Sequence, residues 1–326
     1  LVIPDEVRDF SEIICGYCDG EPGDEITLSL TENFIVKVPL KKPYPNQPIL
    51  RLDNGKIILD SMNKVFEVSV VPLPNFVREQ MKKRSPVSEN ACIDGYCLNL
   101  FLRAVGQKNR LNLTKEAILS VIKEAFEEGA ADLIQINMDY CRESDRGLTR
   151  LAPVVQAIKK EFSTFVGLRG FPPKNKQTLD KVYAAGIDLL NFPLEGFVGF
   201  AKKEDDISSA LVYNALEYAA EIFPPGTVWT ELFLETSSID SLKNKIDYLT
   251  QKKILPLLKL MPPPALKDKD HQHFAEAAGY LDQAVLSSRI PLKWLFPQCR
   301  YMSALDTKLY LDQPGKAKLN AKPVYK

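Results

Sequence analysis

An α/β fold built on an open (β/α)6 barrel, a partial TIM-type barrel, is predicted by three observations. Strand and helix patterns alternate from Cys97 to Tyr280; the strands carry charged or amide residues at every second position; and the first 75 residues read as short strands separated by turns. An antiparallel β-rich N-terminal domain, the barrel and an irregular C-terminal extension account for a chain of 326 residues.

In chain order, EITLSL, FIVKVPL and KIILD are β-rich and separated by DG-, DNG- and Pro-containing turns, which places an antiparallel domain at 1–75. Residues 76–96, proline-bearing and basic, read as a linker or strap. The barrel is expected over 97–290 and the extension over 291–326. In the first barrel strand, Leu98, Leu100 and Leu102 share one face, with Asn99 and Arg103 on the other, because side chains alternate with period two. The second puts Ile134, Ile136 and Met138 opposite Gln135, Asn137 and Asp139. Later strands supply Arg169, Asn191 and Glu195, Glu231 and Glu235, and Lys259.

The intervening helices are marked by caps and stripes. Thr114 caps a helix whose Ile118, Val121, Ile122, Ala125 and Phe126 form an apolar stripe that ends at Gly129. Helices follow at 148–162, 179–185 and 208–223; Ser237 with Asp240 has capping-box spacing before the next, and a sixth stripe includes Phe274 and Val285. Residues 291–296 have the pattern of a seventh strand. Parallel strands joined by right-handed crossovers are the expected result.

A closed eight-stranded barrel fills its centre with Val, Ile and Leu layers, whereas these strands bring charges inward. Isolated buried charges cost several kcal/mol each. Arg103, Arg169 and Lys259 are therefore expected to face Asp139, Glu195, Glu231 and Glu235 across a wet cavity or a bound polar ligand. The plainer alternative is salt-bridged strand ends at the rim.

Lys plus Arg and Asp plus Glu are equal at 42 each, which gives nucleic acid or an anionic membrane no electrostatic footing as partner. No apolar stretch reaches the ~18 residues of a membrane-spanning helix, and LVIPDEVRDF lacks the regions of a signal peptide, so a cytoplasmic location is the expectation. Six scattered cysteines do not form a secreted disulfide framework, and Asn112-Leu113-Thr114 is an isolated glycosylation sequon. Cys15 and Cys18 have CxxC spacing without a second pair to complete a tetrahedral site. The two histidines, His271 and His273, open a helix where positions two apart diverge, and read as surface residues. No phosphate-cradling glycine loop or nucleophile elbow is present.

In its order and texture, the run LNLTKEAILSVIKEAFEEGAADLIQI, KVYAAGIDLLNFPLEGF, NALEYAAEIFPPGTVWTELFLE and IDYLTQKKILPLLKLMPPP resembles the radical S-adenosylmethionine superfamily. That resemblance implies an open (β/α)6 core, a [4Fe-4S] cluster held by a CxxxCxxC segment after the first strand, and S-adenosylmethionine as cofactor. The chain departs from it: GQKNRLNLTKEA after the first strand has no cysteine, Cys92 and Cys97 precede or begin that strand, and with Cys97 as second ligand the third position is Leu100. Met138-Asp139-Tyr140-Cys141 stands where the family has glycine-glycine-glutamate. The cysteine spacing thus does not support the cluster.

Three functions follow as expectations. The first is a barrel that binds a polar small molecule, S-adenosylmethionine-like or otherwise, without the usual cluster, using carboxylate or lysine acid–base chemistry if it is an enzyme. The second is a non-catalytic scaffold subunit bound to protein partners. The third is a radical enzyme whose cluster ligands come from Cys92, Cys97, Cys141 or the Cys15/Cys18 pair.

Overall fold

The computed structural model describes residues 14–18, 21–31, 34–39, 49–54, 56–61, 64–71, 73–83, 85–87, 89–105, 110–194, 207–234, 238–259, 268–296 and 301–311. Glu195, Glu235 and the Cys15 and Cys18 side chains, singled out from the sequence, lie outside the described residues.

The N-terminal strands β1 (Ile14–Cys18), β2 (Glu21–Thr31), β3 (Phe34–Pro39), β4 (Ile49–Asp53), β5 (Lys56–Ser61) and β6 (Lys64–Val70) form one antiparallel sheet. Its path runs β1-β2-β6-β5-β4, with β3 also paired to β2. Alternation makes its core: Ile26 and Leu28 on β2, Leu50 on β4 and Val68 on β6 are buried together. The β4–β5 turn holds Asn54 at φ 50°, a left-handed conformation that Asn tolerates.

Helix α1 (Asn75–Lys82) follows, and its first backbone N–H groups are met by Glu128 rather than by a cap of its own; Phe76 N donates to Glu128 Oε2 at 2.9 Å. Strand β7 (Ala91–Asp94) turns through Gly95 (φ 59°) into β8 (Cys97–Leu102). A short hairpin, β9 (Ala104–Val105) with β10 (Arg110–Leu111), leads to α2 (Lys115–Glu127). Strand–helix units then continue as β11 (Leu133–Met138), a 3-10 turn at Leu148–Leu151 and α3 (Ala152–Glu161); β12 (Val166–Arg169) and α4 (Thr178–Ala184); β13 (Leu189–Asn191) and α5 (Ser209–Ile222). After them come β14 (Val228–Phe233) and α6 (Ile239–Gln251), β15 (Leu255–Lys259) and α7 (Asp268–Ser287), and finally α8 (Ala304–Leu311).

Strands β7-β8-β11-β12-β13-β14-β15 lie side by side in one seven-stranded sheet, parallel except for the β7–β8 hairpin, and curl into a half-barrel. Successive parallel strands are neighbours because each crossover helix packs back on the sheet beside its own strand. The helix stripes bury Ile118, Ile122, Leu179, Leu216, Leu242, Ile246 and Leu281 with the outer-face residues Leu98, Leu100, Ile134, Ile136, Leu168 and Leu258 in one apolar core. At the start of α2 the cap is the expected one, Ala117 N donating to Thr114 Oγ1 at 3.2 Å, and α5 is capped in the same way by Ser208, whose Oγ accepts from Leu211 N at 3.2 Å. On α6 it sits one residue later than the sequence suggested, with Ser238 rather than Ser237 accepting from Ser241 N at 3.2 Å.

Residues 291–296 do not form the seventh strand that their composition suggested. They cross as an irregular strap: Trp294 meets Phe165 edge-on at 4.9 Å between ring centres, and Phe296 lies 5.3 Å from Trp229. The sheet edge is continued by Met302 instead, whose N–H and C=O exchange 2.8 Å bonds with Leu258.

Gly226 fixes the place of the strap. It has φ +86°, and a Cβ there would stand 2.2 Å from the Pro291 carbonyl oxygen. Gly226→Ala is therefore expected to destabilise the protein by more than about 1 kcal/mol, through the positive φ and the lost approach together. A denaturant midpoint equal to that of the unsubstituted protein would refute this.

Candidate functional site

The register of the parallel strands stacks the inner face in rows. Asn99, Gln135, Gly167 and Leu189 align in the lowest row; Phe101, Asn137, Arg169, Asn191, Trp229 and Leu255 form the next. Above them Glu231 aligns with Leu257, and Phe233 with Lys259. The phase expected from the sequence thus places Asn99, Gln135, Asn137, Arg169, Asn191, Glu231 and Lys259 on one face. Part of that face is apolar: Trp229, Leu255 and Leu257 are buried there, so half of the lumen is packed rather than wet.

The centre of the polar half is Glu231, 1% exposed. Arg169 grips it with both arms of the guanidinium, Nε to Oε1 at 2.6 Å and Nη2 to Oε2 at 3.0 Å, and Asn191 Nδ2 adds a 3.0 Å bond to Oε1. Burial pulls this carboxyl upward, but the Arg169 charge and hydrogen bonds, the Lys259 charge and the Asn191 amide outweigh it and hold Glu231 below the usual glutamate range. Arg169 keeps a third of its side chain exposed. Asn191 is 6% exposed, and its Oδ1, the end turned away from Glu231, has no hydrogen-bond partner.

Lys259 lies 5.0 Å from the centre of the Tyr301 ring and 5.8 Å from that of Phe233, with its charge felt at Glu231. Beyond the ends of β8 and β11, burial pushes the Asp139 carboxyl up from its ordinary value, with the Arg103 charge opposing the shift. Arg103 is exposed, and its backbone N–H is bound at 2.9 Å by Asn112 Oδ1. Asn112 also donates to Asn90 Oδ1 at 2.7 Å and to the Phe101 carbonyl at 3.1 Å, so the sequon asparagine acts as a structural clamp.

A second polar group runs across the lower rows. Gln135 Nε2 donates to Asn137 Oδ1, Asn137 Nδ2 to Asn99 Oδ1, and Asn99 Nδ2 to Asp94 Oδ2, each at 3.1 Å. Asp94 is ion-paired with Lys37 of β3, a lysine whose side chain is only 2% exposed. Sequence reasoning missed Asp94 and Lys37, which lie in the assigned linker and the N-terminal domain. It also missed Arg146, 1% exposed, which donates to Tyr140 Oη at 2.9 Å and to the Cys141 and Pro172 carbonyls at 3.1 and 3.4 Å. The signal for Arg146 was an Arg-Gly pair whose two residues both have positive φ.

Of the cysteines, Cys92 on β7 and Cys97 at the start of β8 are buried, and Cys141 follows β11. Among the described residues no group of three or more His, Cys, Asp or Glu is arranged to hold a metal ion. Among the described residues no helix is long and apolar enough to cross a membrane.

No protein-family model matches the chain, and no curated protein matches it. Among solved structures, a dihydropteroate synthase (folP) from Coxiella burnetii in complex with pteroic acid matches with a TM-score of 0.33 and 15% identity, covering 60% of this chain and 70% of that one. A likeness that low carries no argument about function here. The radical S-adenosylmethionine resemblance is corrected, since no family model supports it. Helices ending in Ala-Gly before an apolar strand occur wherever βα units repeat, and such texture does not distinguish one barrel family from another.

Removing Glu231's charge leaves Arg169 without its partner. Glu231→Gln is expected to cost about 3 kcal/mol in urea denaturation, the lower end for a broken buried pair because Arg169 is partly solvated. Because the folded carboxyl titrates below its unfolded value of about 4.5, its stabilisation is full above that pH and is lost as pH falls through the folded value. The acid side of the stability profile should therefore be shallower in Glu231→Gln. Asp139 has the opposite sign: its raised carboxyl opposes folding once pH exceeds the folded value, so Asp139→Asn should stabilise at pH 7 and be neutral below about pH 3.8. Equal melting temperatures of Asp139→Asn and the unsubstituted protein at pH 7 would sink the second claim.

Proposed function

We propose that the half-barrel is an open (β/α)6 barrel that binds a polar small molecule at the carboxyl ends of its strands. The observation carrying this is the Arg169–Glu231–Asn191 group: a buried carboxylate orients a partly exposed guanidinium on the inner face and leaves an amide oxygen unsatisfied. A purely structural ion pair would have no use for the last feature, since a buried acceptor without a donor costs about 1–3 kcal/mol. Ligands of α/β barrels sit at this end of the strands, where the βα loops converge.

Arg169 and Lys259 supply cationic donors for a carboxylate or phosphate on the ligand. Lys259 suits the outer position, because its ammonium lies over the Tyr301 and Phe233 rings on the row beyond that of Glu231. Asp139, pushed toward its neutral form by burial, is the group suited to exchange a proton with a ligand at the mouth.

The test is native mass spectrometry of the purified chain, followed by affinity measurement with whatever small molecule co-purifies. Arg169→Lys keeps a cation beside Glu231, and Lys259→Met leaves the Arg169–Glu231 pair in place. Each is expected to weaken binding about 10- to 100-fold, the loss of one charge-assisted or bidentate contact. Affinity unchanged in both variants would remove the inner face from the site.

A further inference from the structure

We propose that Asp94, held by Lys37 of the N-terminal sheet, sets the hydrogen-bond polarity of the lumen, so that the site selects a polyhydroxylated, sugar-like ligand through its donors. This rests on the ligand-binding reading above and specifies what that ligand must offer.

The argument is one of donors and acceptors. An ionised carboxylate only accepts, whereas a carboxamide has one accepting and one donating end. Asp94 therefore obliges Asn99 to present Nδ2, which turns Asn99 Oδ1 toward Asn137. Asn137 must then donate to Asn99 and accept from Gln135 Nε2. The ladder ends with Gln135 Oε1, and its direction is fixed at the far end by a charge pair in which the Lys37 side chain is 2% exposed.

An independent carboxylate does the same on the other side. Glu231 takes Asn191 Nδ2 and leaves Asn191 Oδ1 buried without a partner. Gln135 on β11 and Asn191 on β13 flank β12, where Gly167 offers no side chain to fill the inner face. The two residues stand one row apart, with Arg169 of β12 level with Asn191, so an oriented acceptor lies on each strand that flanks the partly exposed guanidinium. Two oriented acceptors beside a cation match the hydroxyls of a ligand that also carries an anionic group. They reject a deoxy analogue, because the unsatisfied oxygen stays unsatisfied.

The test uses the full chain with 15N-labelled side-chain amides and two probes, ribose 5-phosphate and 2-deoxyribose 5-phosphate. Removing both charges together, as Lys37→Met with Asp94→Asn, avoids stranding one of them. It should shift the Asn99, Asn137 and Gln135 amide signals as a set while the rest of the spectrum stays folded. Movement of Asn99 alone would overturn the ladder whatever the ligand result. Ribose 5-phosphate should shift the Gln135 and Asn191 signals and bind at least about 10-fold more tightly than the deoxy sugar. Equal binding of both sugars that is lost in Lys259→Met would overturn donor selection and leave the ligand-binding reading standing. Binding of neither sugar would overturn the sugar-like class, and the co-purified ligand then decides the reading beneath it.

Discussion

Glu231 is a carboxylate taken almost wholly out of water in the middle of a parallel sheet, and the arrangement around it follows from that cost. Several kcal/mol of desolvation must be offset, and a single neutral donor would not suffice. Arg169 from β12 and Asn191 from β13 meet it from neighbouring strands, two and one places along the sheet from β14. Their side chains reach it only because the register aligns Arg169 with Asn191, and Asn191 with Trp229 two residues before Glu231. A slip of one residue in any of these strands would turn the charges onto the helix-facing side. The ion pair thus reads out the register as much as it contributes to stability.

The inner face divides into two regimes. Toward β14 and β15 it is packed, with Trp229 against Phe296 and the strap held close by Gly226. Toward β8 and β11 it carries amides whose hydrogen bonds lead out of the barrel to Asp94 and on to Lys37. The N-terminal sheet is therefore tied to the barrel at a buried charge pair, and α8 also packs against β3. Between the regimes lie Arg169, Asn191 and Glu231. Packing on one side and a polarised ladder on the other hold these groups in place, which is the preorganisation a binding site needs.

Legibility differed between kinds of residue. Period two in CLNLFL and LIQINM gave the faces of β8 and β11 correctly, because both strands have apolar residues throughout the helix-facing side. The same rule says nothing about which inward charges meet: Arg103, Arg169 and Lys259 were equivalent in sequence, yet one holds Glu231 bidentately, one lies over aromatic rings and one is exposed at the rim. The family resemblance failed for a related reason. It rested on the texture common to βα repeats, while the chemistry-bearing cysteine segment was absent.

Local pattern determined the strand–helix succession, the helix-facing apolar stripes, the cap at Thr114 and the inward phase of the polar residues, since each depends on neighbours within a few positions along the chain. Only the tertiary structure decided that Asp94 and Lys37 belong to the lumen's hydrogen-bond chain, that residues 291–296 are a strap and not a strand, and that Met302 extends the sheet edge. These depend on contacts between residues far apart in sequence, whose formation is governed by strand register and burial, quantities that no short window of sequence contains.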